Sequence, residues 1–179
     1  MQINKTYITL IACALINTNA QDKTDAIKHD NRSSTKIIQT YRFDELLDDG
    51  SYTIKIENLS SNINILGHEG SGAKVVIRNI AQVITKQEAQ EAYEHSKTIV
   101  KNFKDVEMIH IIGTNDKMQD LEMENFIDLN LPKNINLEIN LHGGDISLDN
   151  IHGESILETL GGDINICLLY TSPSPRDRI

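Results

Sequence analysis

Apolar and polar residues alternate through most of the middle of the chain, the period of two that lays one face of a strand on a core. Tyr52, Ile54 and Ile56 alternate with Thr53 and Lys55, and after a turn at Asn58-Leu59-Ser60-Ser61-Asn62 the pattern resumes at Ile63 and Ile65. A glycine-rich loop from Gly67 to Gly72 precedes Val75-Val76-Ile77, with a further strand around Ala81 and Val83. Met108 to Ile112, Leu121 to Met123, Ile127-Leu129-Leu131 and, past Pro132 and Asn134, Ile135-Leu137-Ile139-Leu141 continue the series. Between residues 86 and 104 the period changes. Thr85-Lys86-Gln87-Glu88 has capping-box spacing, and Ala89, Ala92, Tyr93, Ser96, Ile99, Val100 and Phe103 share one helical face. The pattern predicts a mainly β domain with one amphipathic α-helix, its apolar stripe packed on the parent sheet.

The end of this region repeats. Gly143-Gly144-Asp145-Ile146 recurs as Gly161-Gly162-Asp163-Ile164, a period of 161 − 143 = 18 residues, and Ser61-Asn62-Ile63-Asn64-Ile65 is a fainter copy of Gly144-Asp145-Ile146-Ser147-Leu148. Glycine permits the positive φ of a tight corner, and an Asp or Asn side chain caps it. A unit this short cannot bury its own apolar face, so it requires neighbours above and below. The repeat predicts a β-solenoid-like stack of short strands with G-D-I corners. An antiparallel β-sandwich with one helix is the alternative.

IENLSSNINILGHEGSGAKVVI, followed by LPKNINLEINLHGGDISLDNIHGESILETLGGDINI, resembles the adhesin-like β-solenoid domain family of secreted and envelope-associated bacterial proteins. The resemblance covers about residues 43–166, and Thr159-Leu160-Gly161-Gly162-Asp163-Ile164 matches the family's T-x-x-G-D-I link. Ser60-Ser61-Asn62 departs from the pattern where Gly-Gly-Asp stands later. What the resemblance implies is an exported, non-enzymatic cell-surface or periplasmic module, whose motifs are structural rather than catalytic.

The N-terminus agrees with export. Lys5 supplies positive charge, Ile8 to Ile16 the apolar run, and Asn17-Thr18-Asn19-Ala20 the cleavage region of a signal peptide over residues 1–20. Leu10-Ile11-Ala12-Cys13 offers a lipoprotein alternative, with Cys13 as the lipidated residue. Residues 21–40 are polar and aperiodic and read as a flexible spacer ahead of a domain at 41–166. The last residues are foreign in composition: Cys167 through Asp177 resembles the one-frame translation of a transposase-type sequencing-library adapter. On that reading the domain is truncated at its C-terminal end and residues 167–179 are a non-native tail.

Charge narrows the partners. The chain has 17 Lys+Arg and 26 Asp+Glu; without Lys5, Arg176, Arg178 and Asp177 the body carries 14 − 25 = −11. Such a surface repels nucleic-acid phosphates and anionic lipids. Both cysteines lie outside residues 21–166, so no disulfide is available there.

Catalytic motifs are absent: there is no G-x-S-x-G, phosphate loop, H-E-x-x-H or Cys-His cluster. His142, Asp145 and His152, with His68-Glu69 in the first copy, fall near repeat corners, yet their spacing matches no known ligand set, and they read as solvated turn residues. Asp145 and Asp163 lack the nonapeptide of a calcium ladder. Asn31-Arg32-Ser33 and Asn58-Leu59-Ser60 fit glycosylation sequons by chance. No catalytic, cofactor or metal residues are therefore expected, and the partner is an unknown glycan or protein. The alternative is a polysaccharide-active hydrolase on a β-solenoid scaffold, for which Glu122 and Glu124 share one side of a predicted strand.

Overall fold

A computed structural model describes residues 22–30, 34–81, 87–88, 91, 94, 97–113 and 123–167. Among them the elements are β1 (Asp22–Asp30), β2 (Ser34–Phe43), β3 (Thr53–Ser60), β4 (Asn62–His68), β5 (Ala73–Ala81), β6 (Thr98–Phe103), a 3-10 turn (Lys104–Val106), β7 (Met108–Gly113), β8 (Met123–Pro132), β9 (Asn136–Gly143), β10 (Ile146–Asp149), β11 (Ser155–Thr159) and β12 (Ile164–Cys167). They form a seven-stranded sheet, β1-β2-β5-β8-β4-β10-β12, and a five-stranded sheet, β11-β9-β3-β7-β6.

The chain is mainly β, as the alternation predicts, and both sheets are mixed. β1, β2, β5 and β8 pair antiparallel, as do β6 and β7. The remaining pairs are parallel: β8-β4, β4-β10 and β10-β12 in one sheet, β7-β3, β3-β9 and β9-β11 in the other. Those parallel ladders exclude a wholly antiparallel sandwich. Each of β3, β7, β9 and β11 is followed by a partner in the opposite sheet (β4, β8, β10 and β12), so parallel pairing stacks one crossing on the next. β7 and β8 take the place ahead of β3 and β4 although they come later in sequence.

The inward-facing residues form one aliphatic cluster. Ile54, Ile56, Ile109 and Ile111 of the five-stranded sheet meet Ile65, Val75, Ile77, Ile127 and Leu129 of the seven-stranded sheet, all nearly inaccessible to water. Burial of each such side chain is worth ~1.5–3 kcal/mol, and no disulfide reinforces it among the described residues.

Two expectations require correction. The helix over residues 86–104 is not found as such: Thr98–Phe103 is strand β6, paired antiparallel with β7. Thr98 and Val100 point inward and Lys101 outward, so Thr98-Ile99-Val100 follows the period-two rule, and β-branched residues favour that choice. Gln87, Glu88, Glu91 and Glu94 have helical backbone, while Thr85 and the rest of the stripe's first half lie outside the described residues. The spacer over residues 21–40 is the second correction, since β1 and β2 make a hairpin joined in register to β5. β2 conceals its alternation by burying Gln39 between Ile37 and Tyr41. Predicted strand Ile127–Leu131 lies within β8, which also takes in Met123; the rest of predicted strand Leu121–Met123 lies outside the described residues. Cys167, assigned by sequence to the tail, closes β12 opposite Asp149. Residues 1–20 and 168–179 lie outside the described residues.

Candidate functional site

The repeat becomes a hydrogen-bonded edge where the chain passes from the five-stranded to the seven-stranded sheet. Asn62, Asp145 and Asp163 stand one above another at the entrances to β4, β10 and β12. The Asp145 N–H donates to Asn62 Oδ1 at 3.0 Å, and the Asp163 N–H donates to Asp145 Oδ1 at 2.9 Å. Backbone bonds run alongside: Ser61 N–H to Gly143 O and Gly144 N–H to Gly161 O. The hydroxyl of Thr159 lies 3.2 Å from Gly144 O and 3.0 Å from Gly161 O, which explains a threonine at the start of the link. The 18-residue period is the pairing register itself: Ile146 faces Ile164, and Leu137 faces Ser155.

The opposite edge follows the same logic with other residues. Asn150, at φ 56°, donates from Nδ2 to Gly67 O at 3.0 Å. Asn136 Oδ1 accepts the Glu154 N–H at 3.0 Å while its Nδ2 donates to Gly50 O. Sequence reading does not single out Asn136 or Asn150; the available signal is their offset from the glycine corners.

One prediction tests this edge. Asp145→Ala leaves the Asp163 N–H to water and is expected to cost ~0.5–1.5 kcal/mol, whereas Asp145→Asn keeps the acceptor and restores most of it. Thermal melts of both variants decide the matter, and equal losses would show that charge, not the cap, is what counts.

The candidate ligands of the sequence reading do not converge. His142 lies at the end of β9 and Asp145 at the entrance of β10, while His152 follows the exit of β10, on the edge that also carries His68. Among the described residues no group of three or more His, Cys, Asp or Glu is placed to hold a metal ion. Asp145 is engaged with backbone, unlike a free calcium ligand. Glu124 is exposed on β8, and Glu122 lies outside the described residues, so the proposed carboxylate pair cannot be assembled from them.

The outer face of the five-stranded sheet is a chain of ionic and polar contacts. Lys55 Nζ contacts Glu138 Oε1 at 2.9 Å and Glu57 Oε2 at 3.3 Å, and His110 Nε2 lies 2.9 Å from Glu57 Oε1. Hydrogen bonding to Glu138, then to Glu57, raises the Lys55 pKa. The outer face of the seven-stranded sheet differs. Register places Thr40, Val76, Asp128, Asn64, Ser147 and Asn165 in one row across six strands, at the ~4.8 Å strand spacing. The row is mostly polar.

No protein-family model matches the chain, and no curated protein matches it. A search of solved structures finds a crystal structure described as that of a "putative cell adhesion protein" from Clostridium sporogenes ATCC 15579, with 15% identity and a TM-score of 0.44. The match covers 71% of this chain and 58% of that protein, so this chain spans less than two thirds of its length. Among the described residues no helix is long and apolar enough to cross a membrane.

Proposed function

We propose that this chain is an exported, adhesin-like binding or structural module without enzymatic activity, built on a β-solenoid-like stack. It works at a bacterial surface, in the periplasm or outside the cell. The reading rests on the leader over residues 1–20, on the family resemblance of the G-D-I segments, and above all on the Asn62–Asp145–Asp163 ladder. That ladder holds successive strands at fixed spacing and so maintains the polar row through Asn64, Ser147 and Asn165. An array of short amide, hydroxyl and carboxylate groups at regular intervals suits an extended ligand with hydroxyls at similar intervals, such as a glycan, better than an enclosed small molecule.

The test uses the full chain against immobilised glycans and a panel of soluble polysaccharides. Saturable retention without release of reducing sugar is the expected result. Turnover abolished by Glu122→Gln would overturn the reading in favour of a hydrolase. Fractionation of the producing cells supplies the second measurement, with the protein expected outside the cytoplasm.

A further inference from the structure

The loop between β4 and β5 and the outer faces of β2, β5 and β8 enclose an open cleft of about 220 Å³, whose walls include Arg42, Lys74, Asn130, Asp44, Ser71 and His68. Strand register builds its floor. Arg42 lies across from Lys74, and Lys74 across from Asn130, so the three exposed side chains stand side by side on adjacent strands. The loop builds its wall. Gly70 and Gly72 adopt φ of 95° and 90°, conformations that favour glycine, and they turn the chain over the end of the row.

Both ends of that loop are tied down. The Gly72 N–H donates to Leu46 O at 2.8 Å on one side, and the Lys133 N–H donates to His68 O at 3.0 Å on the other. Lys133 Nζ also pairs with Glu69 Oε1. His68 Nδ1 lies 3.0 Å from the Glu69 carbonyl oxygen, an atom that only accepts, so Nδ1 carries the hydrogen in that contact and Nε2 is the nitrogen left over.

Charge assigns the ligand. The nearby cations Lys133 and Arg78 are neutralised, Lys133 by Glu69 and Arg78 by Asp128 at 2.6 Å. Arg42 and Lys74 make no ion pair among the described residues, although the chain as a whole carries a formal charge of −9. The cleft is nevertheless not purely basic. Asp44 lines it. A carboxylate beside the cations opposes a bare dianion and favours a ligand whose single acid group is surrounded by hydroxyls. The guanidinium and ammonium then take the acid group, while Asn130 and Ser71 are suited to the hydroxyls.

We propose that this cleft binds an acidic sugar, with Arg42 and Lys74 holding the carboxylate of a uronate residue. The inference rests on the glycan-binding reading above and narrows it to one place and one ligand class.

The experiment is an NMR titration of the isotope-labelled full chain with sodium glucuronate, glucose and sodium sulfate at constant ionic strength. Glucuronate is expected to give saturable shifts at Arg42, Ser71, Gly72, Lys74 and Asn130, with glucose far weaker. The double variant Arg42→Gln, Lys74→Gln should weaken glucuronate by about a hundredfold, because each of the two lost charge-assisted hydrogen bonds is worth about a factor of ten. Both side chains are exposed, so the melting temperature should hold. Lys36→Gln, on the same sheet away from the cleft, should change nothing. Sulfate saturating the same amides as tightly as glucuronate would mean an adventitious anion only and would overturn the sugar assignment. Shifts that never saturate, or that persist in the double variant, would overturn the site itself. Retention on neutral glycans, with no saturable glucuronate shifts at the cleft, would leave the wider binding reading intact while this cleft failed.

Discussion

Gly144→Ala is expected to lower stability by about 4 kcal/mol or more, a loss confined to substitutions that break backbone packing or bury an unsatisfied group. A β-carbon at this position would sit 2.2 Å from Ser61 O and 2.5 Å from Ser61 C, closer than any real contact. The obstruction is backbone, so no side-chain rotation relieves it. β10 would have to move away from β4, breaking the bonds from Ser61 N–H to Gly143 O and from Ile63 N–H to Asp145 O. The φ of 102° adds its own penalty of ~1–2 kcal/mol for a residue with a side chain. Two other glycines separate these causes. Gly70→Ala keeps a positive φ in open space and should cost only the ~1–2 kcal/mol of conformation. Gly161→Ala meets nothing within 4 Å, with no left-handed φ, and should fall within about 0.5 kcal/mol of the parent. Denaturant melts rank the three, and Gly144→Ala melting with Gly161→Ala would show that the corners do not stack as described.

That ranking marks how much a repeat reveals. Both Gly-Gly-Asp copies look alike in sequence, and the 18-residue spacing foretells the register between β10 and β12 and between β9 and β11. It does not foretell that the second glycine of each pair carries the close contact: Gly162 would also meet backbone, Gly144 O at 2.3 Å, while Gly143 has room. The faint upstream copy aligns as well, with Ile63 opposite Ile146 and Asn62 in the place of Asp145. Asparagine and aspartate offer the same acceptor oxygen, which is why the copy survives without a Gly-Gly-Asp motif.

What stayed illegible has physical causes too. β6 was hidden because Ile99, Val100 and Phe103 satisfy a helical face as readily as Thr98 and Val100 satisfy a strand, and pairing with β7 decides between them. β2 was hidden because a buried Gln39 interrupts its apolar series. The binding cleft follows from that second omission. Arg42 belongs to a segment read as lying at the domain's margin, and Lys74 and Asn130 are distant from it in sequence; antiparallel pairing through β5 is what sets them in one row. No local motif encodes such a row. The histidines, by contrast, look grouped in sequence only because the corners repeat: His142 lies at the end of β9 and His152 beyond the end of β10, at opposite edges.

Burial along the stack predicts a second large contrast, between Ile65→Ala and Ile166→Ala. Ile65 is completely buried, in β4 with β8 on one side and β10 on the other. Removing its side chain deletes transfer energy and leaves a cavity in a core that neighbouring strands prevent from collapsing, at a cost of ~2–5 kcal/mol. Ile166 faces the same side of the sheet two strands further on, opposite Leu148, but it is 55% exposed. Among the described residues β12 is bonded on one side only, and Ile164, Ile156 and Leu160 of the same crossing are exposed as well. About half of the burial energy of a large aliphatic residue applies there, and water already reaches the site, so no cavity forms; the expected loss is ~0.75–1.5 kcal/mol. At ~2–4 °C per kcal/mol for a chain of this size, the two variants should melt several degrees apart. Hydrogen exchange gives an independent reading, because amides of β12 should open at a small fraction of the global free energy while those of β4 open only with the whole fold. Equal melting temperatures, or β12 amides protected as strongly as those of β4, would mean that the β11–β12 crossing is covered in solution by something that pairs with its edge.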